Sequence, residues 1–247
     1  MPCFAPALRL LCACFAPALQ MADLTRLHSL KLRRAGSLPS GFPVLTRLGS
    51  LRRLALSDSH LPACLSQLTG LEALSIDAFE DTPDITERAA TLVHSMSLLT
   101  NLTHLALAGF ATPGLEAAFP SLRRLRSLWW FTCAEPEAEA LPAGGWLGSL
   151  QRLAMPIREL HGSLPALGSA HGLRILGIDA YECSDLLPAV LRWTAQRPSL
   201  EEVVLEVSND ELGSHFSAIM AVQRTVPRLR IDRHTNLTQL PQFCAID

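Results

Sequence analysis

Lysine, tyrosine and asparagine are nearly missing from this 247-residue chain, which holds one Lys (Lys31), one Tyr (Tyr181) and three Asn. Basic charge is carried almost entirely by Arg, and with much Ala, Pro and Gly this points to a GC-rich coding sequence. Charge itself is sparse. At 21 basic against 23 acidic residues there is no general pull toward nucleic acid, anionic membranes or acidic substrates. The chain also lacks G-x-G-x-x-G, a phosphate loop ending in G-K-[S/T], and a G-x-S-x-G elbow, which removes the common nucleotide and hydrolase signatures. Eight His are scattered with no H-E-x-x-H and no metal-ligand spacing, so no metal or other cofactor is expected. His104 has no evident nucleophile or carboxylate partner and reads as ordinary surface chemistry. Seven Cys (3, 12, 14, 64, 133, 183 and 244) form neither a disulfide framework nor paired C-x-x-C, so free thiols in a reducing compartment are expected.

Long apolar runs are missing too, except over residues 2–22. That stretch has no basic cluster before it, Arg9 interrupts it, and Pro6 and Pro17 break any helix. It reads as neither signal peptide nor membrane anchor, so secretion is disfavoured and membrane attachment is not expected. Two N-x-T sequons, at Asn101 and Asn236, then read as chance occurrences. The phrase Cys-Phe-Ala-Pro-Ala-Leu occurs at 3–8 and again at 14–19, an apolar start where a stacked array needs a polar cap. An incomplete array, or one that dimerises through an end, is the corresponding expectation.

What the chain does have is apolar residues, 49% of the total, arranged in a repeated phrase. L-x-x-L-x-L, with conservative swaps, starts at Leu27, Leu51, Leu71, Leu102, Leu125, Leu150, Leu173, Leu200 and Val226. Successive starts differ by 24, 20, 31, 23, 25, 23, 27 and 26 residues. A poorer copy begins at Ala5, with Leu8 and Leu10 in the strand positions. Alternation in the second half of the phrase marks a short strand with one apolar face. One such unit cannot bury that face alone, whereas parallel copies stacked side by side share a continuous core.

The phrase and its period resemble the leucine-rich repeat family over about residues 24–247. The best match is Leu61-Pro62-x-x-Leu65-x-x-Leu68-Thr69-x-Leu71-x-x-Leu74-x-Ile76, similar to the plant-type and SHOC-2-like intracellular class. The resemblance implies an α/β solenoid, a horseshoe with a parallel concave sheet and helices or loops on its convex side. Residues 1–26 then form an N-terminal cap or degenerate first repeat, and 27–247 a repeat domain of about nine units. The family's Asn after the strand is replaced here by Ala35, Ser59, Phe79, Phe110, Cys133, Arg158, Tyr181, Ser208 and His234. Ser59, Cys133 and Ser208 are workable substitutes, while Phe79, Phe110 and Tyr181 suggest an aromatic spine. Helices are expected over Asp84–Leu99, with Asp84 as N-cap, over Leu186–Gln196 and over Glu211–Thr225; 134–145 reads as an exposed acidic loop.

The x residues of each strand face away from the core. Their central row is Lys31, Ala55, Ser75, Ala106, Trp129, Ala154, Gly177, Val204 and Arg230. Among such small side chains Trp129 is expected to stand up from a smooth floor, with Phe131 on the same side, as an aromatic anchor for a partner. Arg52, Arg53, Arg126, Arg152 and Arg174 line one flank before Glu201 and Glu202 reverse the sign, a pattern able to steer and register a complementary partner. The expected function is a non-catalytic protein–protein interaction scaffold in the cytoplasm, binding an unidentified protein and no nucleic acid. The family resemblance adds two alternatives, the substrate-receptor arm of a ubiquitin ligase and a structural part of a cytoskeletal or ciliary (axonemal) assembly.

Overall fold

A computed structural model of the chain describes residues 7–11, 25–36, 43–59, 61–62, 64–77, 85–109, 114–131, 140–180 and 183–233. The Asp84 cap, the Phe79, Phe110 and Tyr181 spine, and most of the acidic loop lie outside these residues.

Every copy of the phrase becomes a strand, and neighbouring copies pair in parallel. The strands are β1 (Ala7–Leu11), β2 (Ser29–Gly36), β3 (Arg53–Ser59), β4 (Ala73–Asp77) and β5 (His104–Ala108), then β6 (Ser127–Phe131), β7 (Arg152–Pro156), β8 (Ile175–Asp179), β9 (Glu202–Val207) and β10 (Arg228–Arg233). They form one ten-stranded sheet in sequence order, with the poorer copy at Ala5 supplying β1. Leu30, Leu54, Leu74, Leu105, Leu128, Leu153, Leu176, Val203 and Leu229 are in register across adjacent strands, so the fourth position of the phrase is one column. From Leu30 to Val203 that column is buried, and the sixth position (Leu32, Leu56, Ile76, Leu107, Trp130, Met155, Ile178, Leu205) makes a second buried column beside it. Each such side chain removed from water stabilises the fold by about 1.5–3 kcal/mol. The last rung departs from this rule. Ile231 remains 37% exposed, because among the described residues β10 has only β9 beside it.

The first half of the phrase owes its three-residue spacing to backbone geometry. Turns closed by bonds from N–H to the carbonyl three residues earlier run Leu68 to Leu65, Leu71 to Leu68, Leu99 to Met96, Leu102 to Leu99, Leu122 to Phe119 and Leu125 to Leu122. In such tight turns side chains three apart eclipse, so Leu at every third position faces the core. A second set of bonds ties the rungs at the strand starts. The Arg52 carbonyl accepts from the N–H groups of Glu72 and Ala73, and the Glu72 carbonyl from those of Thr103 and His104. Thr103, Arg126, Gln151 and Arg174 repeat the arrangement. Backbone carbonyls thus tie adjacent rungs at the strand starts.

The connections lie on the far side of the core. They include α1 (Pro43–Thr46), α2 (Ile85–Leu98), α3 (Ile157–Ser163), α4 (Leu187–Ala195), α5 (Asn209–Ser214) and α6 (Phe216–Thr225). The expected helices at Asp84–Leu99 and Leu186–Gln196 agree within a residue. The one expected over Glu211–Thr225 is two helices broken at His215, whose φ of −113° leaves the helical region just past Gly213. Gly145, expected to close an exposed loop, instead begins a short 3-10 helix whose Trp146 and Leu147 are buried. Trp146 stacks on Phe119 at 5.0 Å, and Phe119 meets Trp130 at 5.5 Å. Its indole N–H donates to the Pro142 carbonyl at 3.1 Å. Among the described residues no helix is long and apolar enough to cross a membrane.

Candidate partner-binding face

The side of the sheet away from the core carries three rows. The central row is in the expected register, Lys31 to Ala55, Ser75, Ala106, Trp129, Ala154, Gly177, Val204 and Arg230. The row at the strand starts reads Ser29, Arg53, Ala73, His104, Ser127, Arg152, Ile175, Glu202 and Arg228. Along the strand ends, Asp77, Ala108 and Phe131 lie in one stretch, and Pro156, Asp179, Glu206 and Asp232 in another.

The register places Trp129 on this outer side, but the expectation of a solvent-facing anchor is corrected. Trp129 is only 8% exposed and Phe131 9%, and they belong to a second apolar cluster with Ala106, Ala108, Ala154 and Val204. The two rings meet at 4.7 Å with their planes 44° apart. Small neighbours on β5 and β7 leave room for large rings to pack over the sheet rather than rise from it. The middle of the outer face is therefore a second, smaller core. No described residue accepts a hydrogen bond from the buried Trp129 Nε1.

What stays open is the rim at the strand starts. Arg52 is partly used by the fold, since its guanidinium donates to the carbonyls of Gly49 and Leu51 at 3.3 Å and lies 3.7 Å from Glu72. The sign reversal read at Glu201 and Glu202 is a set of pairs. Arg174 Nε donates to Glu201 at 2.7 Å, and Glu202 is 4.0 Å from both Arg228 and Arg230. Arg174 and Glu201 are 27 residues apart, one rung, so they occupy the same position on adjacent turns. Exposed pairs like these contribute about 0–1 kcal/mol each, but they cancel local charge. Arg126 and Arg152 are exposed, and neither has a carboxylate within ion-pair reach among the described residues.

Two titratable groups on this face matter: His104, which the sequence presents as ordinary surface chemistry, and Glu206, which sequence reasoning passed over. His104, half-buried at the start of β5, is held below the ordinary histidine value by burial, then by the charges of Arg152, Arg53 and Arg126, with Glu72 opposing. Its Nδ1 is 2.8 Å from the Thr103 hydroxyl, which donates to the Glu72 carbonyl at 2.9 Å. Glu206, 4% exposed on β9, is pushed from 4.5 up to about 7, first by burial and then by Asp179 and Asp232 on the flanking strands. The charge contribution to each follows from register: Asp179 and Asp232 lie one strand, about 4.8 Å, from Glu206, and Arg53 and Arg152 two strands from His104. That part of the signal is present in the sequence once the rows are written out, and the burial is not.

Asn101 also has a definite role. Its side-chain amide donates to the Thr69 carbonyl, and its oxygen accepts from Arg124, both at 3.0 Å, tying three consecutive turns. Cys64 and Cys183 are in no disulfide, and the Arg158 guanidinium donates to the Cys183 sulfur at 3.1 Å. Arg158 stands in the row where the family has Asn. Among the described residues no cluster of His, Cys, Asp and Glu could hold a metal ion.

No family model and no curated protein matches this sequence. A chain from the structure of the Toll–Spätzle complex, "a molecular hub in Drosophila development and innate immunity", is similar to it with a TM-score of 0.50 and 13% identity. The match covers 93% of this chain and 31% of that one. At such identity the likeness is one of architecture alone: an α/β array of parallel strands like that of leucine-rich repeats.

Proposed function

We propose that this chain is a non-catalytic interaction scaffold that receives a protein partner on the outer face of its sheet, as the concave face of a horseshoe-shaped leucine-rich repeat solenoid. One observation carries the reading. Nine phrases in continuous register present a rim of charged and polar side chains, at a fixed pitch, beside a sheet packed on both sides from β5 to β9. Such a platform is preorganised, so little conformational freedom is lost when a partner docks across several rungs. The expected site residues divide accordingly. Arg52, Arg53, Arg126, Arg152, Arg174, Glu201 and Glu202 belong to the contact rim, and Trp129 with Phe131 to the floor that stiffens it. A reducing, cytoplasmic setting belongs to the same reading, supported by the Asn101 amide of the first sequon being already engaged in the fold.

The test is affinity purification with the natural chain beside Ser75→Arg and Arg126→Glu variants, each first shown to be folded. A partner retained by the natural chain and lost from Ser75→Arg supports the reading. Partners that bind all forms equally overturn it.

A further inference from the structure

Where β5, β6 and β7 begin, the rim carries positive charge that no described carboxylate pairs with. Other basic residues of the rim are answered: Arg174 by Glu201, Arg228 and Arg230 by Glu202 and Asp232, Arg52 by Glu72 and two carbonyls. Arg126 and Arg152 have no such answer among the described residues; Arg126 directly precedes the buried Ser127, which lies between His104 and Arg152 in the register. The strands hold these groups in a line. His104 and Arg152 start β5 and β7, two strand spacings or about 10 Å apart, with Ser127 between them. Below the line lies the packed cluster of Ala106, Trp129 and Ala154, so the row cannot sink into the sheet.

We propose that the start of β5–β7 is the docking strip for an acidic segment of the protein partner, whose carboxylates lie along Arg126, His104 and Arg152. This deepens the scaffold reading and rests on it. Charge complementarity selects the occupant, since a basic or neutral segment leaves the two guanidiniums unpaired, whereas carboxylates pair with them and with an imidazolium.

The half-buried imidazole adds a proton to the exchange. The groups facing His104 are Glu72 beside β4, Arg53 on β3, Arg126 and Ser127 at β6, and Arg152 on β7, with the Thr103 hydroxyl on Nδ1. In the free protein burial, and then the charges of Arg152, Arg53 and Arg126, lower the affinity of the ring for a proton. An acidic segment offsets the cationic neighbours, raises the affinity of the ring for a proton, and is bound more tightly as pH falls through the titration of the ring.

The probe is a 12-residue oligo-glutamate peptide, with oligo-lysine of equal length as control. The His104 imidazole resonance, assigned with His104→Gln, is followed by NMR across pH at low salt. Oligo-glutamate is expected to shift it saturably and raise its titration midpoint, while oligo-lysine leaves it unmoved. Arg126→Ala/Arg152→Ala weakens the effect about tenfold, the sum of two exposed ion pairs, and raises the midpoint without peptide. No response to oligo-glutamate, or an equal response in the double variant, overturns the proposal. Once a partner is identified, loss of binding from Ser75→Arg but not from Arg126→Glu/Arg152→Glu leaves the scaffold reading standing and removes the acidic strip. Loss from neither removes both.

Discussion

Replacing Glu206 by Gln makes the chain more stable at alkaline pH, although a buried carboxyl is lost. Glu206 lies on β9 between Asp179 on β8 and Asp232 on β10, in strict register, and is 4% exposed. Burial and two carboxylates one strand away raise its pKa from 4.5 to about 7. A raised carboxyl pKa means that the folded chain holds a proton the unfolded chain has released. Stability from this group is present below 4.5 and is lost as pH rises through about 7. At about 1.4 kcal/mol per pH unit across that window, the natural chain loses about 2–3 kcal/mol between pH 5 and pH 8 from this one residue. Gln has the shape of the protonated acid and does not titrate. The two proteins therefore match to within about 1 kcal/mol at pH 5 and separate by about 2–3 kcal/mol at pH 8, or about 5–10 °C in Tm for a domain of this size. Thermal melts of both proteins at pH 5, 6, 7 and 8 measure the difference directly. A gap that stays constant with pH, or narrows as pH rises, refutes the argument.

Four further outcomes follow from the same structure. Phe119→Ala removes the ring between Trp146 and Trp130, and urea unfolding should show a loss of about 3–5 kcal/mol with diminished near-ultraviolet circular dichroism. Gly114→Ala costs about 1 kcal/mol in the same assay, because φ is +89° and nothing lies within 4 Å of the added Cβ, so the penalty is purely conformational. Trp129→Ala lowers stability by about 3–5 kcal/mol, whereas an exposed anchor would change it by less than about 0.5, and calorimetry separates the two. Asn101→Ala removes the tie across three turns and costs about 1 kcal/mol, seen as faster amide hydrogen exchange around Thr69 and Arg124.

The rows of this sheet were legible in the sequence because a strand's period of two leaves no freedom once the inward Leu is identified. Leu54, Leu105 and Leu176 fall in one column for that reason, and Lys31 through Arg230 in another. The pairing of Arg174 with Glu201 is legible in the same way, by comparing position with position one rung on. Burial on the outer face was not. Whether Trp129 rises from the sheet or packs over it depends on rings and small side chains from β5 to β9, which alternation does not encode. The aromatic core was missed for a related reason. Trp146 follows an acidic, Gly-rich stretch that reads as a loop, and only the turn at Gly145 carries it inward to Phe119. The break at His215 is similarly silent, apart from Gly213 just before it.

Where the outer face is packed decides where it can bind. Apolar side chains lie on both sides of β5–β9, and an aromatic already enclosed there has little surface left to offer. On the proposed reading contact then moves to groups that packing cannot absorb, the charged residues at the strand starts. These are held at the strand pitch by carbonyls that each accept two N–H groups from the next rung. Several of those charges cancel between rungs, so on the proposed reading specificity concentrates where no described carboxylate answers, at Arg126 and Arg152 near His104. A stacked array converts a repeated sequence into a repeated surface, and its recognition chemistry lies in the rungs where the repetition is broken.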